Sequence, residues 1–367
     1  MIRSLALLLL ALAAPAFAQT TATPDAQARF LAGLAVTGTP LETFTQQRSW
    51  IEHAREFDSA WSQLESRQLS KIHDWAQKNL AEATAEKGSV FYMFSGPDML
   101  YAHAFFPHAS TYVLCALEPV GQIPDATGMS AEAISWTLHN LRNSLNSVLN
   151  FSFFKTKDMK SEEIRALPIL YVFLARANCK LQSAELVGLD DSGQFVADKA
   201  TTHGAKITFT SEGSSQPQTL YYFSTNLAND GIKQHRGFIN FCGSLGKGVG
   251  FAKAASYLMH DSYFSDVRDF LLAHCSAVVQ DDSGIPVKYF APDQWLVRYF
   301  GTYPGPIDLF KQHYQSAIAE GLRNSSSPLP FSFGYQWHSK QSSIIVATAL
   351  KDIPKATPAE TTPAPAR

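Results

Sequence analysis

The apolar period of the chain changes near residue 88. From Pro24 to about residue 86, apolar side chains recur every three or four positions. Trp61, Leu64, Ile72, Trp75, Ala76 and Leu80 share one stripe, while Glu65, Arg67, Lys71 and Lys78 lie mostly elsewhere. That spacing belongs to amphipathic helices, so residues 19–86 are expected to form a helical segment packed on the domain C-terminal to it. From Ser89 the pattern becomes short continuous apolar runs. Val90–Phe94 and Thr111–Leu117 read as buried strands, joined by a helix-length stretch that ends at Phe106. Strand, helix, strand implies parallel pairing, because a parallel neighbour is reached only through a crossover.

Ser130 is placed to cap a long helix striped by Ile134, Leu138, Leu141, Leu145 and Val148. Two identical Asp-Asp-Ser-Gly quartets, at 190–193 and 281–284, stand between apolar runs. Each is expected to close a β-hairpin: Ala184–Leu189 with Gln194–Ala197, and Ala277–Gln280 with Ile285–Phe290. Ala205–Thr210 and Thr219–Phe223 form a further expected strand pair. Residues 237–275 read as mostly helical, with the glycine-rich stretch Gly243–Gly250 as a connection between helices. Leu296–Tyr299, Phe331–Trp337 and Ser343–Ala349 read as strands, and Ile307–Leu322 as a helix. Hairpins beside a parallel unit exclude a wholly parallel sheet. The expected fold is therefore α/β, or α+β, with a mixed sheet and flanking helices over residues 87–352. Residues 353–367 are rich in Pro, Ala and Thr, a composition that buries nothing, and are expected to be a disordered tail.

The first eighteen residues have a different logic. Arg3 precedes the apolar run Leu5–Leu12, and Ala16-Phe17-Ala18 has the small-x-small form of a signal-peptidase site. Residues 1–18 are expected to be a signal peptide cleaved near Ala18, which sends the chain to the periplasm or the medium. The apolar run is too short to span a bilayer, which needs roughly 20 such residues, and no later segment qualifies, so no membrane span is expected. The 367 residues leave room for one large domain or two ordinary ones. Hydrophobic residues at 46% suit a packed globule. Thirty basic residues against thirty-two acidic ones give a net charge of −2, which offers no electrostatic case for nucleic acid. Cys115, Cys179, Cys242 and Cys275 are far apart with no CxxC spacing. An exported location permits a disulfide among them, but the sequence leaves the pairing open.

Candidate chemistry gathers where strands are expected to end. Ser95-Gly96-Pro97-Asp98 comes after the first strand: Ser95 is placed as helix N-cap, with Asp98 as an acidic partner in the first turn. The same geometry presents a helix N-terminus to a polar ligand at the carboxyl end of a strand. Glu118 ends the second strand, and Asn226 lies just past the strand at 219–223. Ser95, Asp98, Glu118 and Asn226 are therefore the candidate ligand-binding residues. The quartet at 95–98 has neither the glycines of a dinucleotide fingerprint nor a G-x-S-x-G elbow. The eleven histidines contain no HExxH or HxH pair, so no metal ligand and no cofactor are assigned.

The segments Phe94–Asp98, Leu117–Gly121, Gln280–Pro286 and Gly301–Phe310 resemble those of a family of hypothetical exported bacterial proteins with no established activity. The resemblance implies a shared fold and export, and it transfers no catalytic residue. Function is thus expected to be that of an envelope enzyme or small-ligand binder, with its site at strand ends near Ser95 and Glu118. The alternative is a non-enzymatic envelope protein that binds a glycan or another protein through exposed aromatics such as Tyr299, Tyr303 and Trp337. The reaction, the substrate and the oligomeric state are not legible in the sequence.

Overall fold

The N-terminal apolar stripe condenses into helices α1 (Pro24–Leu31), α2 (Arg48–Leu64) and α3 (Ser70–Asn79). The computed structural model describes residues 22–81, 88–151, 153, 164–336 and 341–352. The expected leader (1–18) and tail (353–367), together with Trp337, lie outside the described residues. After α3 come β1 (Ser89–Tyr92), α4 (Met99–Phe105), β2 (Thr111–Ala116), α5 (Ala131–Phe151) and α6 (Ala166–Arg176). An antiparallel meander is next: β3 (Lys180–Leu189), β4 (Thr202–Thr210) and β5 (Gln218–Ser224). Helices α7 (Asn229–Gln234) and α8 (Gly237–Ser244) lead to β6 (Gly248–Ala252), then α9 (Ser265–His274) to β7 (Cys275–Gln280). The chain closes with β8 (Trp295–Gly301), α10 (Ser316–Ser325), β9 (Ser326–Ser327) and β10 (Ser343–Ala349).

All ten strands form one mixed sheet in the order β3-β4-β5-β2-β1-β6-β7-β10-β8-β9. The central five, β5-β2-β1-β6-β7, are parallel, and β10 runs antiparallel between β7 and β8. The expected α/β fold is thus present, with its mixed sheet and flanking helices.

Alternation along each strand divides the core by face. Val90 and Tyr92 of β1, with Val249 and Phe251 of β6, pack in one cluster with residues of α1 to α6. Phe91 and Met93 face the other way, with residues of α7, α8 and α9. Ile345 of β10 packs with Ile318 of α10 on that second face. The result is a helix layer on each side of the sheet. The chain therefore leaves β1 for one face and β6 for the other, and the loops above these two adjacent parallel strands diverge.

Several expectations are corrected. Residues 237–275 are mostly helical, as expected, but the glycine-rich stretch is not a plain connection between helices: β6 lies there, inserted between β1 and β7. Gly248 permits this, because a Cβ there would stand 2.4 Å from the Ser89 carbonyl oxygen. The first Asp-Asp-Ser-Gly quartet is a turn, with Gly193 at φ +85° and Leu189 bridging Phe195. The strand that pairs along β3, however, is β4. The second quartet closes no hairpin. It caps the carboxyl end of parallel β7, and Val287–Tyr289 is a 3-10 turn. The described part of the strand expected over Phe331–Trp337, residues 331–336, is not a strand either, since Gly334–Gln336 forms a 3-10 turn. The helix expected over Ile307–Leu322 is broken into a 3-10 segment, Asp308–His313, and α10. All four cysteines are buried free thiols.

Candidate functional site

Parallel strands end at one edge of the sheet, and ligands of doubly wound sheets bind where neighbouring strands send their connections to opposite faces. Here that switch point lies between β1 and β6. The two loops that rise from it are backbone-strained. Among the described residues, six non-glycine residues have positive φ, and four of them are Phe94, Ala254, Ser256 and Tyr257. Strain of this kind costs about 1–3 kcal/mol per residue and persists only where the surroundings enforce it.

The enforcement is visible. Phe94 (φ +58°) and Gly96 (φ +56°) turn the chain back after β1. Ser95 is consequently not the cap of α4. Its hydroxyl accepts from the Cys115 N–H at 3.1 Å and donates to the Gly96 carbonyl at 2.7 Å, which ties the turn to β2. Asp98 is the N-cap instead, and its Oδ1 accepts from the Tyr101 N–H at 3.2 Å. The other carboxylate oxygen of Asp98 lies 2.6 Å from Lys253 Nζ, just past β6. Tyr92 donates to the same oxygen at 3.0 Å, and the ammonium sits 3.3 Å from the centre of the Tyr101 ring.

Both side chains of this pair are almost wholly buried. Burial raises the Asp98 carboxyl above its ordinary range and lowers the Lys253 ammonium, while each partner's charge pulls the other back. The pair thus bridges the switch point in a setting where desolvation opposes the attraction between the two charges.

The third loop comes from β7. Asp281 Oδ2 accepts from the Ala254 N–H at 2.8 Å, and Ser283 Oγ accepts from the Ala255 N–H at 2.8 Å. These two bonds hold the left-handed loop after β6. Tyr257 donates to Asp282 Oδ2 at 2.6 Å. Burial, and then the neighbouring Asp281 charge, push the Asp282 carboxyl up to about 7. Tyr335 donates to the Ala254 carbonyl at 2.9 Å and lies 2.7 Å from Ser256 Oγ, closing the loop from outside.

Gly334 completes the support. Its φ is +62°, and a Cβ there would stand 1.9 Å from Asp281 Oδ2. Gly334→Ala is expected to cost about 2–4 kcal/mol, from left-handed strain plus a displaced Asp281. Gly128→Ala, where a Cβ meets open space, serves as the control. Urea denaturation of the two variants checks this, and equal midpoints would show that Asp281 gives way freely.

A cavity of about 210 Å³ opens above these groups. Of the candidate residues Ser95, Asp98 and Glu118 line it, together with Lys253, Ser256 and Tyr335. Asn226 does not line it. Its Oδ1 accepts from the Ala228 N–H at 3.0 Å, and Gly231 packs against it, so it shapes the entry to α7. A larger cavity of about 510 Å³ lies between α1 and α5, walled by Phe30, Leu31, Met129, Ile134 and Leu138, with Arg165 at its side. It holds none of the buried charges or strained backbone, so the smaller cavity is the better candidate. No protein-family model, curated protein or solved structure matches the chain.

Among the described residues no cluster of three or more His, Cys, Asp or Glu is arranged to hold a metal ion, and no helix is long and apolar enough to cross a membrane. Two of the expected surface aromatics are packed. Tyr299 lies against Gly321 of α10, and Tyr303 stacks on Tyr314 at 5.5 Å while its hydroxyl accepts from the Gln315 N–H. Lys253, Asp281 and Asp282 escape sequence reasoning. The available signal is the second Asp-Asp-Ser-Gly quartet, which succeeds the wholly apolar run Ala277–Val279, whereas the first stands between half-polar strands.

Proposed function

We propose that this chain is an exported envelope protein that binds a small polar molecule in the cavity above β1 and β6. The observation that carries the reading is the Asp98–Lys253 pair. It is buried at the topological switch point, bridges two loops held in strained conformations, and floors a cavity. A purely structural role gives no reason for left-handed Ala254, Ser256 and Tyr257 to collect there, because strain is tolerated mostly where a site requires it. The packed state of Tyr299 and Tyr303 removes support from display of aromatics to a glycan or protein. Export rests on the Arg3, Leu5–Leu12 and Ala16–Ala18 pattern.

The test is a thermal-shift screen of residues 19–367 against free amino acids, hexoses, dicarboxylates and nucleosides. It uses the wild type and Leu117→Trp, in which an indole fills the cavity mouth. Leu117 lines the cavity but is 72% exposed, so the fold should tolerate the change. At least one compound should raise the wild-type melting temperature by several degrees and leave Leu117→Trp unmoved. Equal stabilisation of both proteins, or no response to any class, would remove the site from this cavity.

A further inference from the structure

The strand order and the chemistry of the cavity together narrow the ligand. Numbered by their sequence order, the five parallel strands β5-β2-β1-β6-β7 lie as 3-2-1-4-5. This is the order of sheets that bind dinucleotides across the first strand. In such sheets a tight turn succeeds the first strand, and an acidic residue roughly 20 positions later, at the end of the second strand, accepts from ribose hydroxyls. Here the turn is made by Phe94 and Gly96, and Glu118 lies 22 positions after Gly96, two residues past the end of β2. Its backbone is fixed, since Tyr222 donates to the Glu118 carbonyl at 2.9 Å. Its carboxylate has no hydrogen-bond or ion-pair partner among the described residues, and the residue lines the cavity.

The other half of a dinucleotide site is not merely missing but filled. Where a pyrophosphate would meet the first N–H groups of the helix, the Asp98 carboxylate already accepts from Tyr101. Among the described residues Lys253 is the one cation lining the cavity, and Asp98 and the Tyr101 ring hold it. A phosphate entering here would face two carboxylates and, among the described residues, no uncommitted cation. The volume of about 210 Å³ falls below the roughly 300–1,000 Å³ of drug-sized pockets, so it suits one nucleoside rather than two. Phe94, Phe153, Leu258 and Tyr335 supply apolar wall for a base, with the Phe153 and Tyr335 rings edge to face at 5.2 Å.

We propose that the cavity above β1 and β6 takes a ribonucleoside unit bearing no phosphate, whose vicinal ribose hydroxyls donate to the Glu118 carboxylate. This rests on the reading of that cavity as the ligand site. It is tested by calorimetric titration of residues 19–367 with adenosine, guanosine, cytidine and uridine. Their 2′,3′-dideoxy forms and their 5′-monophosphates are titrated alongside, into wild type, Glu118→Gln and Leu117→Trp.

At least one ribonucleoside should bind. Its dideoxy form and its monophosphate should each bind at least about tenfold more weakly. Glu118→Gln should lose about 10- to 150-fold in affinity, the range for hydrogen bonds to a charged acceptor, with an unchanged melting curve in the absence of nucleoside. Leu117→Trp should not bind. Failure of all four ribonucleosides overturns this inference alone if another compound of the screen still distinguishes wild type from Leu117→Trp. A monophosphate that binds as tightly as its nucleoside overturns it as well, as does a Glu118→Gln protein with wild-type affinity.

Discussion

Lys253→Met should destabilise the protein by about 3–5 kcal/mol, because it leaves the Asp98 carboxylate buried without its cation. The loss should depend on pH, with a sign the geometry fixes. Without Lys253, burial raises the Asp98 carboxyl further above its unfolded value. The fold then holds the Asp98 proton more tightly than the unfolded chain does. That contribution is complete below the unfolded carboxylate value of about 3.9 and disappears as pH rises through the folded one. Lys253→Met should therefore be closer to wild type at pH 5 than at pH 8. Asp98→Asn in the same chain should restore most of the loss at pH 8, since the amide oxygen can still accept from the Tyr101 N–H while the amide NH2, in place of the other oxygen, can donate to the Tyr92 hydroxyl oxygen. Urea denaturation of the two single variants and the double variant forms a double-mutant cycle. Additive losses would mean that the 2.6 Å contact carries no coupling.

Mild acid should begin to destabilise the wild-type protein before its surface carboxylates titrate. Burial holds His53, His103 and His260 neutral, lowering each from 6.5 to about 4. A depressed value means the unfolded chain takes up the proton first. The stability present above pH 6.5 is thus lost as pH falls through about 4. For deeply buried His53 and His103 the loss approaches about 3 kcal/mol each, at 1.36 kcal/mol per pH unit, with less from the more exposed His260. Together this rivals the whole stability of a typical domain, about 5–15 kcal/mol.

Asp282 acts in the opposite sense. Its folded value of about 7 adds stability at low pH that is lost as pH rises through 7. Unfolding midpoints should therefore fall between pH 6.5 and 4 in wild type, and more steeply in Asp282→Asn. A midpoint that holds level down to pH 4.5 would contradict this account of the histidines.

The strands most legible in the sequence are those with a side chain at every position. β1, β2, β5 and β10 lie within a few residues of where the pattern puts them, because runs such as Ser343–Ala349 have no reading but a buried strand. β6 escapes because Gly248-Val-Gly-Phe-Ala has two glycines in five residues, which local propensity assigns to a loop. The close approach of β1 explains Gly248, and the Cys275 and Val278 side chains of β7 crowd Gly250. Without β6 the switch point is hidden and, with it, Lys253. The acid at 98 is legible for a nearby reason: capping chemistry marks 95–98, but the two left-handed residues move the helix start three positions on, from Ser95 to Asp98. The Asp-Asp-Ser-Gly repeat shows the general limit. The same four residues make an exposed turn once and a buried brace once, and only tertiary neighbours distinguish the two.

The four thiols have a consequence for the life of the chain under the export proposed above. Cys115, Cys242 and Cys275 converge in one cluster of the core although they come from β2, α8 and β7. Burial raises the thiols of Cys115, Cys242 and Cys275, and that of Cys179 to about 12, so in the folded state none is a ready nucleophile. In the unfolded chain every one of them reverts to an ordinary reactive thiol. Were the chain exported to an oxidising compartment, closure of the core cluster that holds Cys115, Cys242 and Cys275 would be a race against cross-linking, and each global opening would restart it. The working lifetime of such a protein is governed by how seldom it opens rather than by how stable it is at equilibrium.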